Sequence, residues 1–110
     1  MRDDREKLYD ILEAIENIEK YSAQGHEEYN RNELIQTWII HHVLVIGEAA
    51  SRLSEEIRQR HPEVPWRQMI VMRNILVHAY FRVEEDEVWN VVEHDLPKLK
   101  RQVVEILKIE

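Results

Sequence analysis

The chain has 110 residues and a formal net charge of −7; 44% of the residues are hydrophobic, 34% are charged, and there are two Gly, three Pro and no Cys. The length predicts a single domain, residues 1–110, and the composition excludes collagen-like and disordered classes, while the acidic charge argues against a domain that coats itself with nucleic acid. The lack of Cys excludes disulfides and thiolate metal sites, and the charged N-terminus is unlike a secretory signal, so we expect a cytoplasmic protein.

The first predicted helix runs from Asp4 to about Ser22. Its apolar residues recur at intervals of three and four, as on the buried face of an amphipathic helix. These residues are Leu8, Ile11, Leu12, Ile15 and Ile18. The polar stretch at residues 23–28, which contains Gly25, interrupts the pattern and predicts the first turn.

A long second helix is predicted from about Asn30 to Arg60. Its middle, residues 38–50, is apolar on nearly every side, which is typical of a helix buried against several neighbours. A bilayer-spanning helix needs about 20 apolar residues. This run is shorter and contains two His and one Glu, so we expect no association with a membrane.

Two prolines predict the next boundary. Residues 61–65 include Pro62 and Pro65, and proline both lacks an amide donor and keeps the preceding residue out of the helical region. A third helix should therefore begin at Pro65 or Trp66, because proline is tolerated in a first turn, and it should continue through Tyr80.

The C-terminal third of the chain predicts two further helical segments. The acidic residues 84–87 should begin a short fourth helix, because negative charge stabilises the positive end of the helix dipole. Pro97 should open a fifth segment in its first turn. No stretch shows strand-like alternation. The predicted fold class is therefore all-α, an antiparallel four-helix bundle with one additional short helix.

Three polar residues lie in the apolar middle of the second helix, residues 38–50: His41, His42 and Glu48. Adjacent residues on a helix point about 100° apart, so the two His side chains cannot reach one metal ion without ligands from elsewhere. We expect one His to be packed or hydrogen-bonded in the bundle and the other to lie nearer the surface. Glu48 is either a buried carboxylate with a partner or a residue near a polar cleft.

Arginine is concentrated in one part of this acidic chain. Between Ser51 and Arg82 six Arg face three Glu, whereas elsewhere nine basic residues face nineteen acidic ones. Arginine suits bidentate recognition of phosphate, but an Arg-rich stretch is also typical of a solvated helix face. No Gly-rich phosphate loop, His-Glu-x-x-His or G-x-S-x-G motif accompanies it.

Polar residues gather at the end of the third helix. Arg73 and Tyr80 share one helix face, and Asn74 and His78 share an adjacent one. Arg73 and His78 lie about 140° apart around an ideal axis, so they can serve one site if the helix ends near His78 or if two chains meet. Alternatively, Arg73 pairs with a Glu of a neighbouring helix, His78 is hydrogen-bonded in the core, and Tyr80 packs its ring.

The stretch R-N-I-L-V-H-A-Y at residues 73–80 resembles the R-x-x-x-x-H-x-Y signature of HepT-like toxins, helical ribonucleases of the HEPN superfamily. Similarity extends along essentially the whole chain. Further matching segments, in the expected order, are residues 47–50, residues 65–67, Trp89 and residues 95–97. Two positions differ, because Val71 and Ala79 stand where glycine is common in the family.

The resemblance implies a metal-independent endoribonuclease, the toxin of a type VII-like toxin–antitoxin system, which cleaves tRNA or mRNA by attack of a ribose 2′-hydroxyl. It assigns catalysis to Arg73 and His78 and AMP modification to Tyr80. Asn74, next to Arg73, can support catalysis by orienting the phosphate or His78. The modifying partner would be a minimal nucleotidyltransferase antitoxin. The resemblance also implies a homodimer that uses no metal or other cofactor and has no DNA or membrane partner.

Two other functions stay open on the sequence alone. The chain can be a catalytically silent HEPN-like binding module, which predicts no RNA cleavage under any condition. It can also be the regulatory or acceptor subunit of a nucleotidyltransferase complex, which predicts that the partner's transferase activity depends on this chain. Both alternatives have the same helical bundle and the same residues at positions 73, 78 and 80, so only a measurement of activity separates them from a ribonuclease.

Overall fold

The computed structural model describes residues 2–79 and 83–110. Nearly all of these residues are helical, and the expected all-α bundle is confirmed. In chain order the elements are α1 (Arg2–Ser22), α2 (His26–Arg31), α3 (Glu33–Arg52), α4 (Glu55–Arg60), α5 (Trp66–His78), α6 (Glu85–Asn90), a π-helical segment (Val91–Asp95) and α7 (Leu96–Ile109).

The core forms where α1 packs against α3 and α7, with α3 also packing against α5. The apolar face predicted for the first helix is buried here, with Leu12 partly buried at its margin. Fully buried residues of this core include Leu8, Ile11, Ile15 and Ile18 of α1, Ile39 of α3 and Val103 of α7. None of the helices in the described part of the chain is long and apolar enough to cross a membrane.

The prediction of one helix from Asn30 to Arg60 is wrong, because two capping side chains divide it. The carboxamide oxygen of Asn32 accepts hydrogen bonds from the amides of Leu34 and Ile35 at 3.0 and 3.3 Å, which starts α3 afresh after α2. Ser54 caps α4 in the same way, accepting from the Ile57 amide at 3.2 Å. Such side chains compete with the continuous helical hydrogen-bond ladder.

The corner between α3 and α4 is tied to the start of α1. Asp4 is buried, and its carboxylate accepts hydrogen bonds from the Ser54 amide at 2.8 Å and from the Ser54 hydroxyl at 2.6 Å. Hydrogen bonds to a charged acceptor are stronger than neutral ones. This contact fixes the C-terminal end of α3 against the start of α1.

The first turn is shorter than predicted. Residues 23–25 form it, with Gly25 at a φ of 97°, a left-handed conformation that glycine adopts without a steric penalty. The chain is already helical at His26, whereas the sequence placed the turn through residue 28. The short helix α2 is anchored by Tyr29, whose hydroxyl donates to the Glu85 carboxylate at 2.7 Å.

Pro97 lies in the first turn of the last helix, as predicted, but the chain does not leave the helical conformation before it. Residues 85–109 form one run of helical backbone, in which the Leu96 amide donates to the Val91 carbonyl five residues earlier. Pro97 has no amide hydrogen and would interrupt a regular α-helical ladder. The π segment absorbs this irregularity just before the proline, which lies in the first turn of α7.

Candidate active site

Helix α5 carries the polar residues singled out in the sequence. It begins at Trp66, as predicted, and ends at His78, where the Ala79 amide donates to the Ile75 carbonyl at 2.8 Å. Arg73 and Asn74 lie in its last two turns. Tyr80, the residue that the resemblance assigns to AMP modification, lies outside the described residues.

The Arg73 side chain leaves α5 where that helix touches the backbone of α3. A Cβ atom built on Gly47 would lie 2.3 Å from the Cβ of Arg73 and 2.7 Å from the carbonyl oxygen of Met69. Both distances are shorter than packed atoms tolerate. Glycine at position 47 is therefore what allows α5 to approach α3 this closely and sets the position from which Arg73 projects.

Glu48, the next residue on α3, contacts two arginines. Its Oε1 lies 3.0 Å from Nη1 of Arg73, and its Oε2 accepts a hydrogen bond from Nη2 of Arg52 at 3.2 Å. The alternative that Arg73 pairs with a glutamate of a neighbouring helix is thus confirmed. Glu48 is half-exposed, so it is a paired carboxylate beside a cleft and not one buried in the core.

The guanidinium of Arg73 keeps most of its hydrogen-bonding capacity. Only 26% of the side chain is exposed, and Nε is buried without an acceptor among the described residues. The contact with Glu48 is an ion pair, and within residues 3–79 and 83–110 the guanidinium donates no hydrogen bond. Arginine has five N–H donors, and buried polar groups are normally satisfied. An incoming anion can supply the missing acceptors.

A charged groove of about 420 Å³ lies between α1, α3 and α5 beside this ion pair. Its basic side chains are Lys7, Arg52 and Arg73, its acidic ones are Asp10 and Glu48, and it also contains His41. The balance is positive on a chain whose formal charge is −7. Three basic side chains against two acidic ones leave the groove with a net positive charge, which favours an anion over a cation.

His78 is exposed at the end of α5 and is absent from the described lining of the groove. The alternative of a histidine hydrogen-bonded in the core is therefore wrong. The helix ends next to His78, which meets one of the two conditions for a site shared with Arg73. One chain nevertheless places Arg73 in the groove and His78 on another helix face.

A continuous exposed face of α5 contains His78. Its residues are spaced by three and four, and all of them are exposed: Arg67, Val71, Asn74, Ile75 and His78. Val71 and Ile75 retain 45% and 43% of their side-chain exposure, which is high for large apolar residues. The departure from the family pattern at Val71 thus lies on the surface and not in the core.

The two histidines of α3 separate as expected. His42 is buried, and its Nδ1 lies 2.8 Å from the Trp38 carbonyl, so this nitrogen carries the proton that it donates. His41 is exposed and lines the groove. Among the described residues no group of three or more His, Asp or Glu side chains is placed to hold a metal ion.

Comparison with known proteins identifies the family. Residues 11–106 match the family described as Ribonuclease HepT-like. The chain belongs to the HepT-like ribonuclease family. In this HepT-like protein, Gly47 allows α5 to approach α3, and Arg73 of α5 forms an ion pair with Glu48.

Three curated relatives that match along nearly their whole length carry ribonuclease names. The chain is 36% identical to a protein of Thermococcus cleftensis named "Probable ribonuclease HepT", over 97% of this chain and 98% of the relative. It is 35% identical to "Putative RNase MJ1380" of Methanocaldococcus jannaschii, over 93% and 94%. A "Putative RNase TTE0752" of Caldanaerobacter subterraneus is 32% identical over 100% and 99%. No solved structure matches the chain significantly.

Gly47→Ala tests the close approach of α5 to α3. Alanine normally stabilises a helix interior relative to glycine, by about 1 kcal/mol. Here the added methyl meets Arg73 and a backbone carbonyl, so we expect the free energy of unfolding to fall by about 1–3 kcal/mol, as for overpacked cores. Urea denaturation followed by circular dichroism measures this change. Thr37→Ala, at an exposed position of the same helix, should have no such effect. Equal or greater stability of Gly47→Ala would refute the packing argument.

Proposed function

We propose that this HepT-like protein is a cytoplasmic endoribonuclease toxin, with residues 1–110 forming one HEPN-like domain that cleaves RNA without a metal. The observation that carries the proposal is the guanidinium of Arg73, whose Nε has no acceptor among the described residues, in a groove with more basic than acidic side chains on an acidic chain. RNA is the polyanion that the names of the relatives indicate. Single-stranded tRNA loops or mRNA are the substrate class we expect.

The chemistry needs a base and a cationic site. His78 acts as the general base and takes the proton of a ribose 2′-hydroxyl. The 2′-oxygen bonds to the adjacent phosphorus while the bond from phosphorus to the 5′-oxygen breaks, and the departing oxygen recovers a proton from the protonated histidine or from water. Arg73 stabilises the charge that develops on the phosphoryl oxygens. The products are a 2′,3′-cyclic phosphate and a 5′-hydroxyl, and Asn74 supports by orienting the phosphate.

A homodimer would bring the two catalytic groups together. Arg73 and His78 lie on different faces of α5, and the face that contains His78 also exposes Val71 and Ile75. Packing that face around a two-fold axis buries the apolar residues and places His78 of each chain next to the other copy. In this arrangement each site takes Arg73 from one chain and His78 from its partner.

Control by AMP follows from the place of Tyr80 in the sequence. Tyr80 is two residues beyond His78 and seven beyond Arg73. AMP attached to its hydroxyl by a minimal nucleotidyltransferase antitoxin would add bulk and a phosphate charge close to the catalytic histidine. The RNA phosphate would then be excluded both sterically and by like charge.

Purified protein should cleave single-stranded RNA in the presence of a chelator. Arg73→Gln and His78→Ala should each lower the cleavage rate by at least about 100-fold, because they remove the charge stabilisation and the base. The rate is measured with labelled total tRNA and mRNA, and intact mass confirms that Tyr80 is unmodified. Folded wild-type protein that cleaves neither RNA would instead favour the silent binding module.

Mixing the two inactive variants tests the composite site. A dimer of one Arg73→Gln chain and one His78→Ala chain retains one intact site if each site uses both chains. Random exchange makes half of the dimers mixed, so activity should return to about a quarter of the wild-type value. Activity is measured after dissociation and reassociation of the chains. If mixing restores nothing while native mass spectrometry shows mixed dimers, both catalytic groups act within one chain.

Co-expression with the nucleotidyltransferase tests the regulation. We expect intact mass to increase by whole AMP units in wild-type protein, with loss of RNA cleavage, because the modification blocks the phosphate site. Tyr80→Phe should stay unmodified and active, and Tyr9→Phe, which removes another tyrosine hydroxyl, should be modified like wild type. AMP found on Tyr80→Phe would place the modification on another residue.

A further inference from the structure

The carboxylate of Glu48 joins two arginines at the edge of the groove. Its two oxygens lie 3.0 Å from Arg73 Nη1 and 3.2 Å from Arg52 Nη2. One carboxylate neutralises the charge of one guanidinium, so the three groups together keep one positive charge. The arrangement therefore holds two cations side by side and still leaves a net attraction for an anion.

Exposure to solvent increases from Arg73, at the interface of α3 and α5, through Glu48 to Arg52. Arg73 is 26% exposed, Glu48 45% and Arg52 63%. His41, Glu48 and Arg52 lie on one face of α3, at spacings of seven and four residues, and all of them line the groove. A strand whose phosphate reaches Arg73 thus passes Arg52 as it enters or leaves.

A further cation lies on the opposite wall. Lys7 of α1 lines the same groove, and it forms no salt bridge with the side chains that the structure describes. The Arg52 guanidinium, in contrast, is held by Glu48 in an i,i+4 pair. A guanidinium presents several donors in a planar fork, which suits phosphate oxygens better than a point charge does.

We propose that Arg52 is a second phosphate-binding residue, and that Glu48 is a positioning residue that orients both Arg73 and Arg52. Arg52 binds a backbone phosphate next to the scissile one, while Arg73 binds the scissile phosphate itself. Glu48 touches no substrate and acts through the two arginines. The identity of the substrate in this inference rests on the proposed ribonuclease function.

The two roles predict different kinetic effects. Arg52→Gln removes a binding charge outside the reacting phosphate, so KM should rise about tenfold with little change in kcat. Glu48→Gln removes the charge that orients Arg73 but leaves the groove more positive, so kcat should fall at least tenfold without a rise in KM. Because exposed i,i+4 pairs add little stability, Arg52→Gln should not change the melting temperature much. Glu48→Gln also removes the ion pair with the less exposed Arg73, so its melting temperature is measured and its kcat is compared below the unfolding transition.

Binding of a non-cleavable RNA isolates the role of Arg52 from catalysis. The probe is a fluorescent single-stranded oligonucleotide with 2′-O-methyl groups, whose affinity is measured by anisotropy across a series of KCl concentrations. Each phosphate contact contributes a slope of about −0.7 in a plot of log affinity against log salt. Arg52→Gln should reduce the slope by about that amount, and Arg52→Lys should restore the slope but only part of the affinity.

Arg31→Gln is the matched control. Arg31 is also an exposed arginine held by a nearby glutamate, Glu28 at 3.5 Å, but it lies on α2 and does not line the groove. The Arg31→Gln substitution changes the net charge of the protein by the same amount as Arg52→Gln. Its affinity and salt slope should therefore match those of the wild type, which separates a local contact from a general charge effect.

The outcomes distinguish this inference from the function on which it rests. Unchanged affinity and salt slope in Arg52→Gln would overturn the second phosphate contact, even if the wild type cleaves RNA. Unchanged kcat in Glu48→Gln would overturn the positioning role. If the wild type cleaves no RNA, the proposed ribonuclease function fails, and the salt slope of the non-cleavable RNA still decides whether Arg52 binds phosphate.

Discussion

The contact of α5 with the bare backbone at Gly47 determines the geometry of the site. Because position 47 has no side chain, the stem of Arg73 and the carbonyl of Met69 lie directly against α3. The residue that follows Gly47 is then close enough to meet the Arg73 guanidinium. A longer distance between the helices would separate these groups. The ion pair and the basic side of the groove thus depend on one absent methyl group.

The same contact explains how an acidic protein can bind a polyanion. The net charge of the whole chain disfavours the binding of RNA, since acidic residues outnumber basic ones. Attraction over short distances depends on the nearest charges, because those beyond about 10 Å are screened by salt. Two arginine side chains from α3 and α5 and Lys7 of α1 converge on one groove, where these three basic groups face two carboxylates. Local placement, and not net charge, decides what this surface attracts.

Much of the fold follows from periodicity, because burial leaves a regular pattern in the sequence. The apolar face of α1 and the start of α5 at Trp66 could be predicted in this way. The breaks at Asn32 and Ser54 could not, since a polar residue inside a helical pattern caps a helix only when the neighbouring turns allow it. The continuity of the helix before Pro97 was equally hidden, because proline fits the first turn of a helix whether a break or a π-helical turn precedes it.

The site was predictable in its residue types but not in its arrangement. The sequence indicated that Arg73 has a glutamate partner or an active-site role, and the structure shows the partner, Glu48. The contribution of Arg52 was missed, although its spacing of four from Glu48 was a usable signal. Nothing in the spacing of Arg73 and His78 tells whether they meet within a chain or across two, because that depends on how copies pack.

The π segment at residues 91–95 also determines how this helix can accommodate the loss of one residue. A turn closed between residues five apart holds one residue more than an α-helical turn. A relative that lacks one residue here can form a regular α-helix, while Leu99, Val103 and Ile106 keep their places in the core. A one-residue gap in this segment is therefore a change of helix type, and the positions on either side of it remain equivalent.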